Sequence, residues 1–266
     1  MSRQTDPSRI RRYAGLAIVL AAREFPGAYR GNATGALAAI VIPVAMLAVY
    51  SFVFSALIPV RLESVRGGPG YVLFLFSGLI VWNLFADVVV RGPRLFVGSP
   101  NYVHLPNFPL SLLVLAPCLA GLFRSIPWFA AYVMAHWWVL GTVSWELAAV
   151  PMVLVVVVAL TFGVTLFLAS IGAVLRDVGD FIQPAVTLLF FLSPILYPAA
   201  TIAETAEWVL VVNPVAPMLE AIRDLAFEQT LPDLVVLSRM LASAVGWIFV
   251  GTLLYRFVRG ALADLI

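Results

Sequence analysis

Apolar residues run along this chain in long uncharged stretches, separated by short breaks that carry arginine, proline or acidic residues. A helix needs roughly 20 mostly apolar residues to cross a bilayer. Six stretches fit that pattern: Ala36–Ile58, Tyr71–Val90, Pro109–Thr142, Leu147–Leu175, Phe181–Ala203 and the shorter Met240–Tyr255. Asp87, near one end of the second, and Arg124, inside the third, are charges within them. The pattern predicts an all-α integral membrane protein with six transmembrane helices. They form one membrane domain over residues 1–266, with no second domain, low-complexity linker or clear repeat.

Three further segments have a different pattern. Ile10, Tyr13, Ala17 and Leu20 recur at helical spacing with Arg9, Arg11 and Arg12 around them, which predicts an amphipathic helix within 8–32 lying in the headgroup layer. Between the second and third spans, Arg91–Phe108 carries Pro93, Pro100 and Pro106, too many for one unbroken helix. In 204–233 an apolar run, Trp208–Leu219, is interrupted by Pro214 and Pro217. It is too short to cross and predicts a re-entrant or interfacial piece.

Composition agrees with the spans. Of 266 residues, 62% are hydrophobic and 11% charged, whereas a soluble domain carries about 25% charged residues. A water-soluble enzyme is excluded, as are disordered, collagen-like and disulfide-rich chains. Six spans put both termini on one side of the membrane. Arginines cluster in the N-terminal segment (Arg3, Arg9, Arg11, Arg12, Arg23, Arg30), after the second span (Arg91, Arg94), after the fourth (Arg176) and in the tail (Arg256, Arg259). The other side holds Arg61, Arg66 and Arg223, with Arg239 at the edge of the last span. The bias toward the cytoplasmic side predicts that both termini are cytoplasmic. Met1–Arg12 lacks the apolar core of a cleaved signal peptide.

All 16 basic residues are arginine. Without lysine the chain cannot form a Walker A phosphate loop or a Schiff base. Cys118 is the single cysteine and has no intrachain disulfide partner. His104 and His136 lack ligand-like spacing, so no metal site is expected. The strongest candidate for enzymatic chemistry is Asp177-x-x-Asp180, two carboxylates that one helical face could turn toward a metal ion. Its plainer reading is a short turn capped by the carboxylates and paired with Arg176. Arg124 has two readings as well: a cation that holds a phosphate group, or a structural partner that pairs or snorkels.

A set of residues in order then resembles the permease subunit of ABC-2-type exporters, closest to the branch that exports lipid-linked polysaccharides such as O-antigen, capsule and teichoic acid. The set begins with Arg23-Glu24, Tyr29-Arg30, Gly35, Pro43, Tyr50 and Phe54. It continues through Tyr71-Val-Leu-Phe-Leu-Phe-Ser-Gly-Leu-Ile-Val-Trp82 and Asn107-Phe108-Pro109. It closes with Arg176-Asp177, Ser193-Pro194-Ile195-Leu196-Tyr197-Pro198, Asn213-Pro214 and Arg223. Asn107 stands where the family often has a basic residue, and Glu24 where many members have aspartate.

The resemblance implies a homodimer in the bacterial inner membrane, seated on two copies of a separate cytoplasmic ABC ATPase that binds ATP and Mg. This chain then has no cofactor, no catalytic residue and no nucleic-acid partner. Arg23, Glu24, Arg91 and Arg94 are the expected ATPase-docking residues. Arg9, Arg11, Arg12 and Arg30 are candidates for a lipid carrier's pyrophosphate, and also suit orientation and membrane-lipid contact. Aromatic faces suit sugar C–H surfaces, so Phe74, Phe76, Trp82, Phe85, Phe190, Phe191 and Tyr197, with Arg124, are the expected path. Segment 198–233 is expected to gate the outer mouth. Two other functions stay open: export of another amphipathic cargo, such as a drug or lipid, and a membrane-embedded phospho- or glycosyltransferase using Asp177 and Asp180.

Overall fold

A computed structural model describes residues 15–22, 24, 33–53, 67–105, 108–260 and 262, and all regular secondary structure among them is helical. Helix α1 (15–22) buries Ala17 and Ala21 one turn apart and leaves Ile18 and Val19 exposed, as a one-sided surface helix does. Ile10, Tyr13 and the candidate cations Arg9, Arg11, Arg12, Arg23 and Arg30 lie outside the described residues.

Helices α2 (Ala33–Phe52), α3 (Gly67–Arg91), α5 (Ser111–Leu140), α6 (Val150–Val174) and α10 (Leu234–Val258) make the body of the bundle. Four helical stretches among the described residues are long and apolar enough to cross a membrane: Pro69–Arg94, Ser111–Leu140, Trp145–Val174 and Leu234–Val258. Helix α5 is 30 residues long, about 45 Å at 1.5 Å per residue, more than the hydrocarbon thickness. It carries Pro117 and Pro127 inside it, which helices packed in membranes tolerate.

Helix α3 is the central element. Apolar side chains surround it on all sides, and Tyr71–Phe76, Leu79–Trp82, Leu84, Phe85, Val88 and Val89 are all buried. Apart from Asn83, Asp87 and Arg91 toward one end it offers little to water, so neighbours must cover it: α5, α6, α7 and α9 all pack there. The α6–α10 crossing depends on two glycines. A Cβ on Gly163 would sit 2.5 Å from the backbone of Trp247 and Ile248, and one on Gly251 would strike the Gly163 carbonyl. Without side chains there, the two backbones touch, which is how helices gain contact where lipid removes the hydrophobic driving force.

At one end of the bundle the proline-bearing connection is short and folded, as expected. It comprises a 3-10 turn (Gly92–Arg94), a bend and helix α4 (Pro100–Val103). Phe96, Val103, Leu110 and Val114 form a second small core there with Leu166, Ala169, Ala173 and Leu262. Arg91, Arg94, Arg256 and Arg259 therefore share one end of the molecule with the α6–α7 turn. We call it the arginine end.

The expected span at 181–203 is not one helix. Helix α7 (Val178–Leu192) has 15 residues, about 22 Å, short of the hydrocarbon thickness. The chain then breaks at Ser193–Pro198 before α8 (Ala199–Val212) and the eight-residue α9 (Ala216–Arg223). Two prolines in Ser-Pro-Ile-Leu-Tyr-Pro deny the helix its backbone donors. Helix α8 is itself kinked at Ala206 (φ −153°, ψ 60°), and α9 runs on into a π turn, Asp224–Glu228, that ends at Gln229 in the left-handed region. In contrast to the thin packing of α8, all of α9 except Glu220 is buried.

Candidate functional site

Two clefts flank α3 toward the arginine end. The larger, about 530 Å³, lies between α3 and α7 and is lined by Trp82, Asn83, Ala86, Asp87, Val90, Arg91, Gln183, Val186, Thr187, Phe190 and Phe191. Helix geometry explains the lining: Asn83, Ala86, Asp87 and Val90 follow i, i+3, i+4, i+7 on α3, and Gln183, Val186, Thr187 and Phe190 do the same on α7. Val186 is the one buried residue of α7, so this helix leaves most of its surface uncovered by the protomer. The cleft combines indole and phenyl faces with amide, hydroxyl and charged groups. Phe190 meets Trp82 edge-on at 5.3 Å and Phe191 at 5.4 Å.

The smaller cleft, about 230 Å³, lies on the other flank of α3, between it and α5. Ile80, Asn83, Leu84, Asp87, Gly121, Arg124, Ser125 and Trp128 line it. Asn83 and Asp87 therefore border both clefts. Asp87 Oδ2 accepts from Arg124 Nη2 at 2.5 Å and from Arg91 Nη2 at 3.1 Å, and Arg91 Nη1 reaches Glu24 at 3.3 Å. Four charges, two of each sign, thus form one neutral chain joining the segment after α1 to α3 and α5. Arg124 is thus paired while also lining the smaller cleft, and an arginine inside a span is costly unless it meets a counter-charge.

Several expected path residues are placed elsewhere. Phe74, Phe76 and Phe85 lie in the packed core and line neither cleft. Phe76 stacks on Trp128 at 5.3 Å, and Phe74 meets Phe227 edge-on. Tyr197 sits in the break, where its hydroxyl donates to the Phe191 carbonyl. Trp82, Phe190 and Phe191 do line the larger cleft. Among the residues absent from the sequence reading are Asn83, Gln183 and Thr187. Their signal was available: three uncharged polar side chains inside apolar stretches, where a polar group needs a reason.

Of the expected docking residues, Glu24 and Arg91 are engaged with each other, half-exposed. Arg94 is largely exposed and pairs with Asp180 at 2.8 Å, tying the turn after α3 to the start of α7. Asp180, one of the two carboxylates of the α6–α7 turn, is therefore paired with Arg94.

The break is secured by side chains from distant parts of the chain. Arg223 Nη2 donates to the Ile195 carbonyl at 3.0 Å and Nη1 to that of Tyr197 at 3.5 Å. The Tyr71 hydroxyl donates to the Leu196 carbonyl at 2.8 Å. Asn213 Nδ2 donates to the Ser193 hydroxyl at 2.8 Å and to the Leu192 carbonyl at 3.4 Å, while its Oδ1 accepts from the Val215 N–H. Irregular buried backbone requires such partners, because the carbonyls freed from helix bonds at Ser193–Pro198 are shielded from water. The arrangement gives Ser193–Pro198, Asn213-Pro214 and Arg223 a common structural purpose.

Comparison with known proteins agrees with this architecture. Residues 16–227 match the family model described as ABC-2 type transporter. Over 249 residues the chain is 25% identical to the O-antigen export system permease protein RfbA of Klebsiella pneumoniae, covering 91% of this chain and 93% of that protein. Over 259 residues it is 26% identical to the protein of the same name from Myxococcus xanthus, covering 95% of each. A helical membrane bundle and a family match over most of its length lead to one conclusion: the chain belongs to the ABC-2 type transporter family.

Proposed function

We propose that this chain is the membrane-spanning permease of an ATP-driven exporter of O-antigen-like, lipid-linked polysaccharide. The observation that carries the reading is the larger cleft. Its aromatic faces pack against sugar C–H surfaces, and Asn83, Gln183 and Thr187 supply neutral hydrogen bonds along a path that does not demand one fixed ligand. The near-full-length similarity to proteins named as O-antigen export permeases supports the cargo class.

On this reading the arginine end is cytoplasmic, in keeping with arginine bias, and six membrane passages leave both termini there. The fifth passage is the broken α7–α8 element, and 204–233 is extracytoplasmic. Helix α7 exposes Gln183, whose amide hydrocarbon would leave unsatisfied, beside Thr187, whose hydroxyl donates to the Gln183 carbonyl. A second copy of the chain facing the same cleft would cover them and close a continuous conduit, giving a homodimer. A separate ABC ATPase, with its ATP and Mg, would dock at the arginine end, where the Arg94–Asp180 pair is exposed along with Arg176, Asp177, Arg256 and Arg259. The arginines of residues 9–30 would meet the phosphate-bearing lipid carrier there.

Cells lacking the chain should accumulate finished lipid-linked polymer on the inner leaflet, and re-expression should restore surface polymer. Trp82→Ala should lower surface polymer severalfold and Trp82→Phe should keep most of it, read by surface labelling at equal protein level. Normal export by Trp82→Ala would remove the cleft from the path. Polymer that reaches the surface without this chain would remove the cargo assignment.

A further inference from the structure

Among the candidate spans, α10 is the least covered by the rest of the chain. On one face it borders a groove of about 430 Å³, whose other wall is the end of α8 and the start of α9. Arg239, Ala242, Ser243, Gly246, Trp247 and Val250 form the α10 wall at i, i+3, i+4, i+7, i+8 and i+11, a single helical stripe. Leu210, Val211, Val212, Pro214 and Pro217 face it. Helix α8 packs on α9, and the groove lies where it has no such support from α10.

Below Arg239 the groove is an apolar trough. The Ser243 hydroxyl donates to the Pro214 carbonyl at 2.9 Å, and the Asn213 amide is engaged by Ser193 and Val215. Nothing projects from Gly246, where an added Cβ would meet no atom within 4 Å. Charge stands only at one end. There Arg239 Nη1 donates to Glu220 Oε2 at 3.1 Å, with both side chains partly exposed. Glu220 is the one residue of α9 that is not buried, and it lies a turn beyond Pro217 on the same face. Among the described residues this pair uses only those two atoms, which leaves Arg239 Nε and Nη2 to donate and Glu220 Oε1 to accept.

The dimensions match one lipid leaflet. From Arg239 to Val250 the stripe runs about 16 Å along α10, half of a hydrocarbon core of about 30 Å. Arg256 follows Arg239 on the same helix at about 26 Å, so the two arginines bracket its apolar part and set Arg239 at headgroup depth. We propose that this groove seats one phospholipid of the extracytoplasmic leaflet whose head carries both a phosphate and an ammonium. The phosphate takes the free donors of Arg239, the ammonium takes Glu220, and one acyl chain lies along the trough. A head without a cation would bring a second negative charge to Glu220, so the pair selects a zwitterionic lipid over an anionic one. The chain also gives α8 the packing partner that the protein does not supply. The leaflet rests on the membrane orientation read above. The second copy assigned there to the α3–α7 cleft shares no lining residue with this groove.

The test is native mass spectrometry of the purified permease–ATPase complex, offered dioleoyl phosphatidylethanolamine and dioleoyl phosphatidylglycerol in equal amounts. Wild type should retain the ethanolamine lipid severalfold over the glycerol lipid. Gly246→Leu puts an alkyl group where the acyl chain lies, and should lower that retention by roughly tenfold with the complex intact. Arg239→Gln should lower it by a similar, roughly tenfold factor. Glu220→Gln should admit the glycerol lipid and remove the preference. Equal retention of both lipids by wild type, or undiminished retention by Gly246→Leu, overturns the proposal. If Gly246→Leu separates the two copies, protein fills the groove, which overturns it as well. Where Arg239→Gln is not recovered, Gly246→Leu and Glu220→Gln decide. Export is a separate readout: complex that selects the ethanolamine lipid but moves no polymer counts against the transport reading, and export without that selection counts against the lipid site alone.

Discussion

Asp87 holds two guanidinium groups on one carboxylate oxygen, and those partners stand four and 37 positions away in the chain. Both Asp87 and Arg124 stand out in the sequence as charges inside apolar stretches, but their pairing across α3 and α5 depends on how the helices are rotated. A double-mutant cycle with Asp87→Asn and Arg124→Gln should give a coupling of about 1–2 kcal/mol, read from thermal midpoints in detergent. Asp87→Asn should destabilise more than Arg124→Gln, because it strands Arg124 whereas Asp87 keeps Arg91. Asp224 lies outside the candidate spans, where burial and the Glu220, Asp233 and Glu228 carboxylates push its carboxyl up to about 6. A raised folded-state value means that the folded chain holds this proton more tightly than the unfolded one. The stabilisation is therefore present near pH 4 and lost as pH rises through 6. Asp224→Asn should raise the thermal midpoint at pH 7.5, and the gain should shrink at pH 5. An equal gain at both pH values would show that the charge at 224 is not the cause.

At the scale of elements, length and proline content decided most of what formed. The apolar stretches at Tyr71–Val90 and Met240–Tyr255 fall within long helices, Pro109–Thr142 and Leu147–Leu175 overlap long helices to within two residues at their ends, and the proline-bearing loop after α3 folds as turns and a short helix. Phe181–Ala203 reads as one span by hydropathy, because hydropathy does not register a break whose carbonyls are satisfied by Asn213, Tyr71 and Arg223. The α6–α10 crossing is likewise hidden from periodicity, since a glycine at 163 or 251 reads as a weak helix former. At the crossing, Gly251→Val would drive a side chain into the Gly163 carbonyl. It should cost about 3 kcal/mol or more, with a lowered thermal midpoint and loss of recovered complex, whereas Gly246→Ala, which opens onto free space, should be nearly neutral.

For the molecule as a whole, the arginine end and the opposite end differ in kind. The arginine end carries the ion pairs Glu24–Arg91–Asp87–Arg124 and Arg94–Asp180, while the opposite end is fastened by a helix break and a buried short helix, with the single pair Arg239–Glu220 among the described residues. A force applied at the arginine end therefore meets linked charges, and the lightly seated α7 connects that end to the break. Nucleotide hydrolysis should be found only when the chain is co-purified with a separate ABC ATPase. Arg94→Ala should lower transport-coupled hydrolysis severalfold while leaving the recovered complex intact, since an exposed pair such as Arg94–Asp180 adds at most about 1 kcal/mol to stability. Hydrolysis by the chain alone would overturn the division of labour.

The sequence alone determined the membrane environment, the helical class, the absence of a lysine-dependent nucleotide site and the asymmetry of arginine along the chain. Each of these follows from composition or one-dimensional spacing, which the bilayer converts directly into structure. Only the tertiary structure decided which aromatic rings face a cleft and which are consumed by packing: Trp82 lines the larger cleft, whereas Phe74, Phe76 and Phe85 lie in the packed core. It alone also decided that the fifth apolar stretch is broken, because the groups that make a break affordable in lipid come from positions 71, 213 and 223, brought together by folding.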